Sequence, residues 1–185
     1  MAGKVTPRRV GSVWATIVLA ASVANAAEPG AAQLPPAVSA LKGCWQGDGE
    51  VMGKPVTITL SAKPIVQDAM FVVDVDSSAK ADAHDRYSAH LIFGGGKPST
   101  GNAAEQIVGF WADSFGGTFT ATGNGVSHKD GFEMVYRYPE DTYVNRWRLI
   151  GGRLTWDIAA RDDKGKETRF AGYSLARAEC ATGPS

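Results

Sequence analysis

The stretch WADSFGG, residues 111–117, sets an indole and a carboxylate two positions apart, just before a pair of glycines. On an extended strand Trp111 and Asp113 share a face with Gly109. If that face looks into an enclosed interior, Asp113 is an acid in aromatic surroundings, and desolvation raises its pKa unless a cation such as Arg146 compensates. If it looks into the turn, Asp113 accepts amide hydrogen bonds and ends the strand, the commoner role for Asp at such a place. Three histidines are the other candidates. His84 stands between Asp82 and Asp85 in a polar stretch, His128 lies in GNGVSHKDG, read as a loop, and His90 falls on a strand with its facing open. Asp82, His84, Asp85 and His90 have the donor types of a metal site. Their spacing matches no compact ligand motif, so a charged surface loop is expected and no metal is assigned. There is no G-x-S-x-G elbow. The carboxylates Asp48, Asp74, Asp76 and Asp157 sit in strands of undetermined facing, so no acid–base pair can be picked out and no catalytic residue is assigned.

The elements that must position these groups are strands. Val56, Ile58 and Leu60 alternate with polar neighbours, and so do Leu154, Trp156 and Ile158; Tyr143, Asn145, Trp147 and Leu149 alternate with Val144, Arg146 and Arg148. Gly151-Gly152 supplies a tight hairpin turn, and Pro139 to Asp141 and Asp162 to Gly165 supply others. The pattern predicts about ten strands, near 44–51, 55–62, 68–76, 86–93, 105–112, 117–122, 131–138, 142–150, 153–161 and 168–177. A meander of this kind leaves two open edges unless it closes. The fold class expected is therefore all-β, a single closed, mostly antiparallel up-and-down barrel, entered through a short N-terminal turn or 3-10 helix. Closure would lay the first strand beside the last and bring Cys44 to Cys180, the only cysteines of the chain, so a disulfide between them is expected.

The N-terminus has the layout of a secretory signal peptide: Lys4, Arg8 and Arg9, an apolar run from Val10 to Val23, then Ala24-Asn25-Ala26. The run is short for a membrane span and contains Gly11 and Ser12. Domains are accordingly expected as a signal peptide over 1–26, a flexible lead-in over 27–40, a barrel over 41–180 and a tail over 181–185, with the mature protein periplasmic or secreted. Loss of the first 26 residues leaves 16 basic against 19 acidic side chains. That mildly acidic balance without a basic cluster disfavours nucleic-acid binding.

Four segments, LKGCWQGDG at 41–49, IVGFWADSFGGTF at 107–119, NRW at 145–147 and DKGKETRFAGYSLAR at 163–177, resemble the bacterial domain of unknown function 1579 family. The resemblance implies a lipocalin-like barrel and, for most members, export without an assigned activity. In lipocalins a glycine-flanked tryptophan of the first strand carries an arginine of the last; Trp45 and Arg177 match that pair, which implies a structural role for both. A more distant likeness is to nitrobindin, a haem-binding barrel, but the C-terminal histidine used by such barrels has no counterpart here, and no cofactor is expected. The leading expectation is a small, partly apolar ligand held inside the barrel among Trp111, Tyr136, Trp147 and Trp156, with Asp113 or Arg146 as polar anchors. The alternatives are an enzyme using Asp113 in the same cavity, a haem protein, and a ligand-free scaffold with a filled interior.

Overall fold

A computed structural model describes residues 33–96 and 105–180. The expected signal peptide and the tail lie outside the described residues. A short helix, α1 (Pro36–Ser39), precedes ten strands: β1 (Gly43–Val51), β2 (Lys54–Ile65), β3 (Met70–Ala79), β4 (Arg86–Gly95), β5 (Gln106–Asp113), β6 (Ala121–His128), β7 (Gly131–Arg137), β8 (Thr142–Ile150), β9 (Arg153–Arg161) and β10 (Glu167–Ala178). Each strand pairs antiparallel with its neighbours in sequence, and β1 pairs with β10, so the sheet closes on itself. Closure satisfies the backbone groups that an open meander would leave at its edges. This is the expected all-β, up-and-down barrel of lipocalin-like form.

Alternation along the strands sorts the side chains. Val56, Ile58, Leu60 and Ala62 of β2 are buried, while Thr57, Thr59 and Lys63 are exposed. Leu154, Trp156 and Ile158 of β9 do the same against Arg153 and Asp157. The β8–β9 hairpin turns on Gly151 and Gly152, with φ of 58° and 78°, which is why glycine is required at both positions.

The sequence expectation differs from the structure most clearly at β6. Residues 117–122 were expected as the strand and GNGVSHKDG as a loop; instead Gly117–Phe119 is a 3-10 turn and the strand runs from Ala121 to His128. The reason is steric. The inward positions of β6 are Ala121, Gly123 and Gly125, so no apolar alternation marks it. A Cβ on Gly123 would fall 2.6 Å from Cδ1 of Tyr136, and one on Gly109 of β5 would fall 2.7 Å from the Tyr136 hydroxyl. The bare inner wall of β5 and β6 is the space into which Tyr136 and Met134 of β7 lie down.

One end of the barrel is shut. α1 occupies residues assigned to a flexible lead-in, and it touches β6 and β7 across the ring from β1, with Val38 fully buried and Leu41 2% exposed. The Trp45 indole N–H donates to the Leu41 carbonyl at 2.8 Å. The Arg177 guanidinium lies 3.9 Å over the Trp45 ring and donates to the carbonyls of Lys42 and, at 3.1 Å, Ala40. Arg177 thus bonds carbonyls of the short segment that links α1 to β1. Beside it, Cys44 of β1 and Cys180, just beyond β10, form a disulfide with their Cα atoms 5.1 Å apart.

Candidate ligand-binding site

The middle of the barrel is a stack of aromatic rings. Trp147 and Trp156, cross-strand partners on β8 and β9, lie face to face at 4.3 Å between centroids. Phe132 stacks on the other side of Trp147 at 5.8 Å. Trp111 meets Tyr136 at 5.4 Å and Trp156 at 5.9 Å, and Tyr173 of β10 meets Trp156 at 5.0 Å. Four of the expected ligand contacts, Trp111, Tyr136, Trp147 and Trp156, are therefore inward and together, but they contact one another rather than line an open chamber. Trp147, Trp156 and Tyr136 are each 1% exposed, whereas Trp111 and Tyr173 are each 8% exposed. The last two keep the most accessible surface of the five.

That second end is rimmed by rings. Tyr87 at the start of β4 meets Phe115 at 5.7 Å, and Phe115 meets Phe119 at 5.9 Å. The Tyr138 hydroxyl donates to the Phe119 carbonyl at 3.0 Å, and its ring meets Tyr143 of β8 at 5.6 Å. Tyr143 then meets Phe170 of β10 at 5.1 Å. The arc runs from β4 through the β5–β6 and β7–β8 connections to β10. Tyr87, Tyr138, Tyr143 and Phe170 are half-buried and continuous with the core, while Phe115 is 70% and Phe119 48% exposed. Exposed large rings backed by a core mark a surface that another molecule covers more often than they mark chance exposure.

Asp113 stands in this rim at the end of β5, where it closes the turn and also bonds two aromatic side chains. One carboxylate oxygen accepts the Phe115 backbone N–H at 3.0 Å, closing the turn. The other accepts the Trp111 indole N–H at 3.1 Å and the Tyr87 hydroxyl at 3.2 Å. Among the described residues Asp113 has no ion pair. Burial first, and the Asp113 charge second, push the Tyr87 hydroxyl far above the usual tyrosine range. The same two causes raise Tyr138 to about 12. Burial alone lifts Tyr173 to about 12.

Arg146 does not belong to the interior. It lies on the outer wall of β8, where it bonds Glu133 of β7 at 2.8 Å and Glu167 of β10 at 2.8 and 2.9 Å. Asn145, its neighbour, is the residue that faces in; it is fully buried and its side-chain oxygen accepts the Trp156 indole N–H at 2.9 Å. Four buried side-chain atoms make no hydrogen bond within the described protein: Asp74 Oδ1, which instead faces His90 as an ion-pair partner on the outer wall, and, in the interior, the Tyr136 hydroxyl, the Asn145 side-chain nitrogen and the Trp147 indole nitrogen.

The histidines all lie on the outside. His84 is exposed at a turn, His128 is exposed at the end of β6, and His90 faces out from β4, paired with Asp74 of β3. None of them points at the barrel interior, so the described side chains do not fit an axial histidine to haem there. No group of three or more His, Cys, Asp or Glu among the described residues is arranged to hold a metal ion.

No family model matches the chain, so the resemblance to the domain of unknown function 1579 family stands on its sequence segments alone. No curated protein matches either. Among solved structures, the S-type phycobiliprotein lyase CPES from Guillardia theta is similar, with a TM-score of 0.53 and 10% identity over 77% of this chain and 91% of that one. A likeness at that identity extends to the barrel fold and no further.

The rim residues Tyr87, Phe115, Phe119, Tyr138, Tyr143, Phe170 and Tyr173 were not singled out as site residues from the sequence. A signal for some of them was present: Phe115 and Phe119 flank Gly116-Gly117, and bulky rings in a glycine turn have no strand face to occupy.

Proposed function

We propose that the protein is exported and binds a small, largely apolar molecule at the aromatic end of its barrel, with the ligand resting on Trp111 and Tyr173 beneath the Phe115–Phe119 loop. The observation that carries this reading is the asymmetry of the two ends. One is sealed by α1, the Arg177–Trp45 stack and the disulfide, and the other presents half-buried and exposed rings, with the Asp113 carboxylate bonded among them. Ligand sites are concave, mostly apolar and equipped with few polar groups, and the mouth of a barrel is a usual place for them. Export is supported by the disulfide, which persists in oxidising compartments. It is compatible with the finding that no helix among the described residues is long and apolar enough to cross a membrane.

The test is a fluorescence titration of the purified protein with the neutral apolar probe N-phenyl-1-naphthylamine. Saturable binding that quenches tryptophan emission, weakened about tenfold or more in a Phe115→Ala/Phe119→Ala double variant, is the expected result. Failure of the probe to bind, together with unchanged emission, would overturn the reading.

A further inference from the structure

Resting on the ligand-binding reading above, we infer that the mouth is built for an organic cation: a molecule whose positive head meets Asp113 and the ring faces of Tyr87, Phe115 and Phe119 while its apolar body enters the barrel.

The charge inventory of the second end leads there. Elsewhere on the barrel, carboxylates near cations are paired: Asp85 with Lys54, Asp48 with Lys80, and Glu133 and Glu167 with Arg146. Asp113, like Asp76 and Asp162, is bonded by neutral donors only, and its partners are an indole, a phenol and a backbone amide, which sets it among the rings of the mouth. Those donors hold the carboxylate in one orientation without neutralising it. The field of the uncompensated charge reaches the neighbouring rim, where it adds to the burial that disfavours ionisation of Tyr87 and Tyr138. An anionic ligand entering here would meet the same repulsion. The rings point to the same ligand class. Aromatic faces carry negative potential, and several rings disposed around one spot hold an ammonium or guanidinium group through cation–π attraction. Tyr87, Phe115 and Phe119 form such a chain, at 5.7 and 5.9 Å between successive centroids, beginning at the phenol that bonds Asp113. Among the described residues no arginine or lysine bonds to Asp113, which leaves its charge available to a cationic head of the ligand.

The experiment compares three amphiphiles of one chain length below their micellar concentrations: decyltrimethylammonium, decyl sulfate and decyl maltoside. Each is titrated directly into the protein on tryptophan emission, and each competes against bound N-phenyl-1-naphthylamine. The expected result is that the ammonium binds about tenfold or more tightly than the sulfate, with the maltoside between them. Asp113→Asn, which removes the charge and keeps one of the two acceptor oxygens, either for Trp111 and Tyr87 or for the turn amide, should shrink the ammonium-to-sulfate ratio to about threefold or less. Phe115→Leu, which keeps an apolar side chain but removes a ring face, should weaken the ammonium about two- to fivefold more than the maltoside. Wild-type binding of the sulfate or maltoside as tight as the ammonium would overturn the cation inference while leaving the ligand-binding reading in place. No binding of any amphiphile or of the probe would remove both.

Discussion

At the scale of single residues, the interior carries a small group of donors that the protein does not use. Tyr136 is the clearest: its ring lies against Gly123 and over Gly109, is 1% exposed, and its hydroxyl has no partner among the described residues. Burial first, and Tyr138 second, drive its pKa far upward, so the phenol stays neutral and its desolvation is uncompensated. Leaving such a group unpaired costs about 1–3 kcal/mol. Tyr136→Phe removes the hydroxyl and leaves the packing, so it should raise stability by about 1 kcal/mol in chemical denaturation with an unchanged m-value. A destabilised variant would mean that the hydroxyl is hydrogen-bonded in solution. Which single residues were legible in the sequence follows from the same physics. Trp45 and Arg177 could be paired through the lipocalin resemblance, and Cys44 and Cys180 because only one pairing exists. Arg146 was misplaced against the alternation itself, which sets it on the face opposite Trp147; the polar residue on the inward face of that strand is Asn145.

At the scale of elements, strands with large inward side chains were legible and strands with small ones were not. β2 and β9 show their period in sequence, while β6 hides it because its inward positions are left bare for side chains of β7. The outer wall has its own inter-strand device, and Arg146 is at its centre. Glu167 at the start of β10 accepts from Arg146 of β8 and, at 2.7 and 3.1 Å, from Arg161 of β9, so one carboxylate ties three neighbouring strands near the open end. Hydrogen bonds from Arg146 and then Arg161 hold its pKa down to about 2, below the usual carboxylate range. A carboxyl group depressed in the folded state contributes stability above its unfolded pKa, and that contribution fades as pH falls toward the folded value. Glu167→Gln should therefore melt about 2–4 °C below the wild type near pH 7. The gap should close progressively between about pH 4.5 and pH 2. A gap that persists unchanged at the acid end would show that the substitution acts through packing and not through the ion pairs.

At the scale of the whole molecule, closure of the ring couples everything else. The β1–β10 seam runs from Cys44 opposite Ala178 to Val51 opposite Ala171, and it is fastened at one end by the disulfide and the Arg177–Trp45 stack. The same fastening holds α1 across the sealed end, because Arg177 also takes the carbonyls of Ala40 and Lys42. The seam joins the two ends of the barrel sequence, so its formation must wait for the chain to close its longest loop, with the cysteines 136 positions apart. In the chain-entropy account a cross-link of that span removes about 5 kcal/mol of freedom from the unfolded chain while adding little to a folded seam already paired by backbone hydrogen bonds. A Cys44→Ala/Cys180→Ala variant should then lose roughly 3–5 kcal/mol in equilibrium unfolding. Its refolding should slow more than its unfolding accelerates, because the bond acts on the open chain. The aromatic mouth lies at the other end of the barrel, so the variant should keep its affinity for N-phenyl-1-naphthylamine within about twofold as long as it remains folded. Loss of probe binding in a folded variant would mean instead that the seam holds the open end in shape, and that the two ends of the barrel are one mechanical unit.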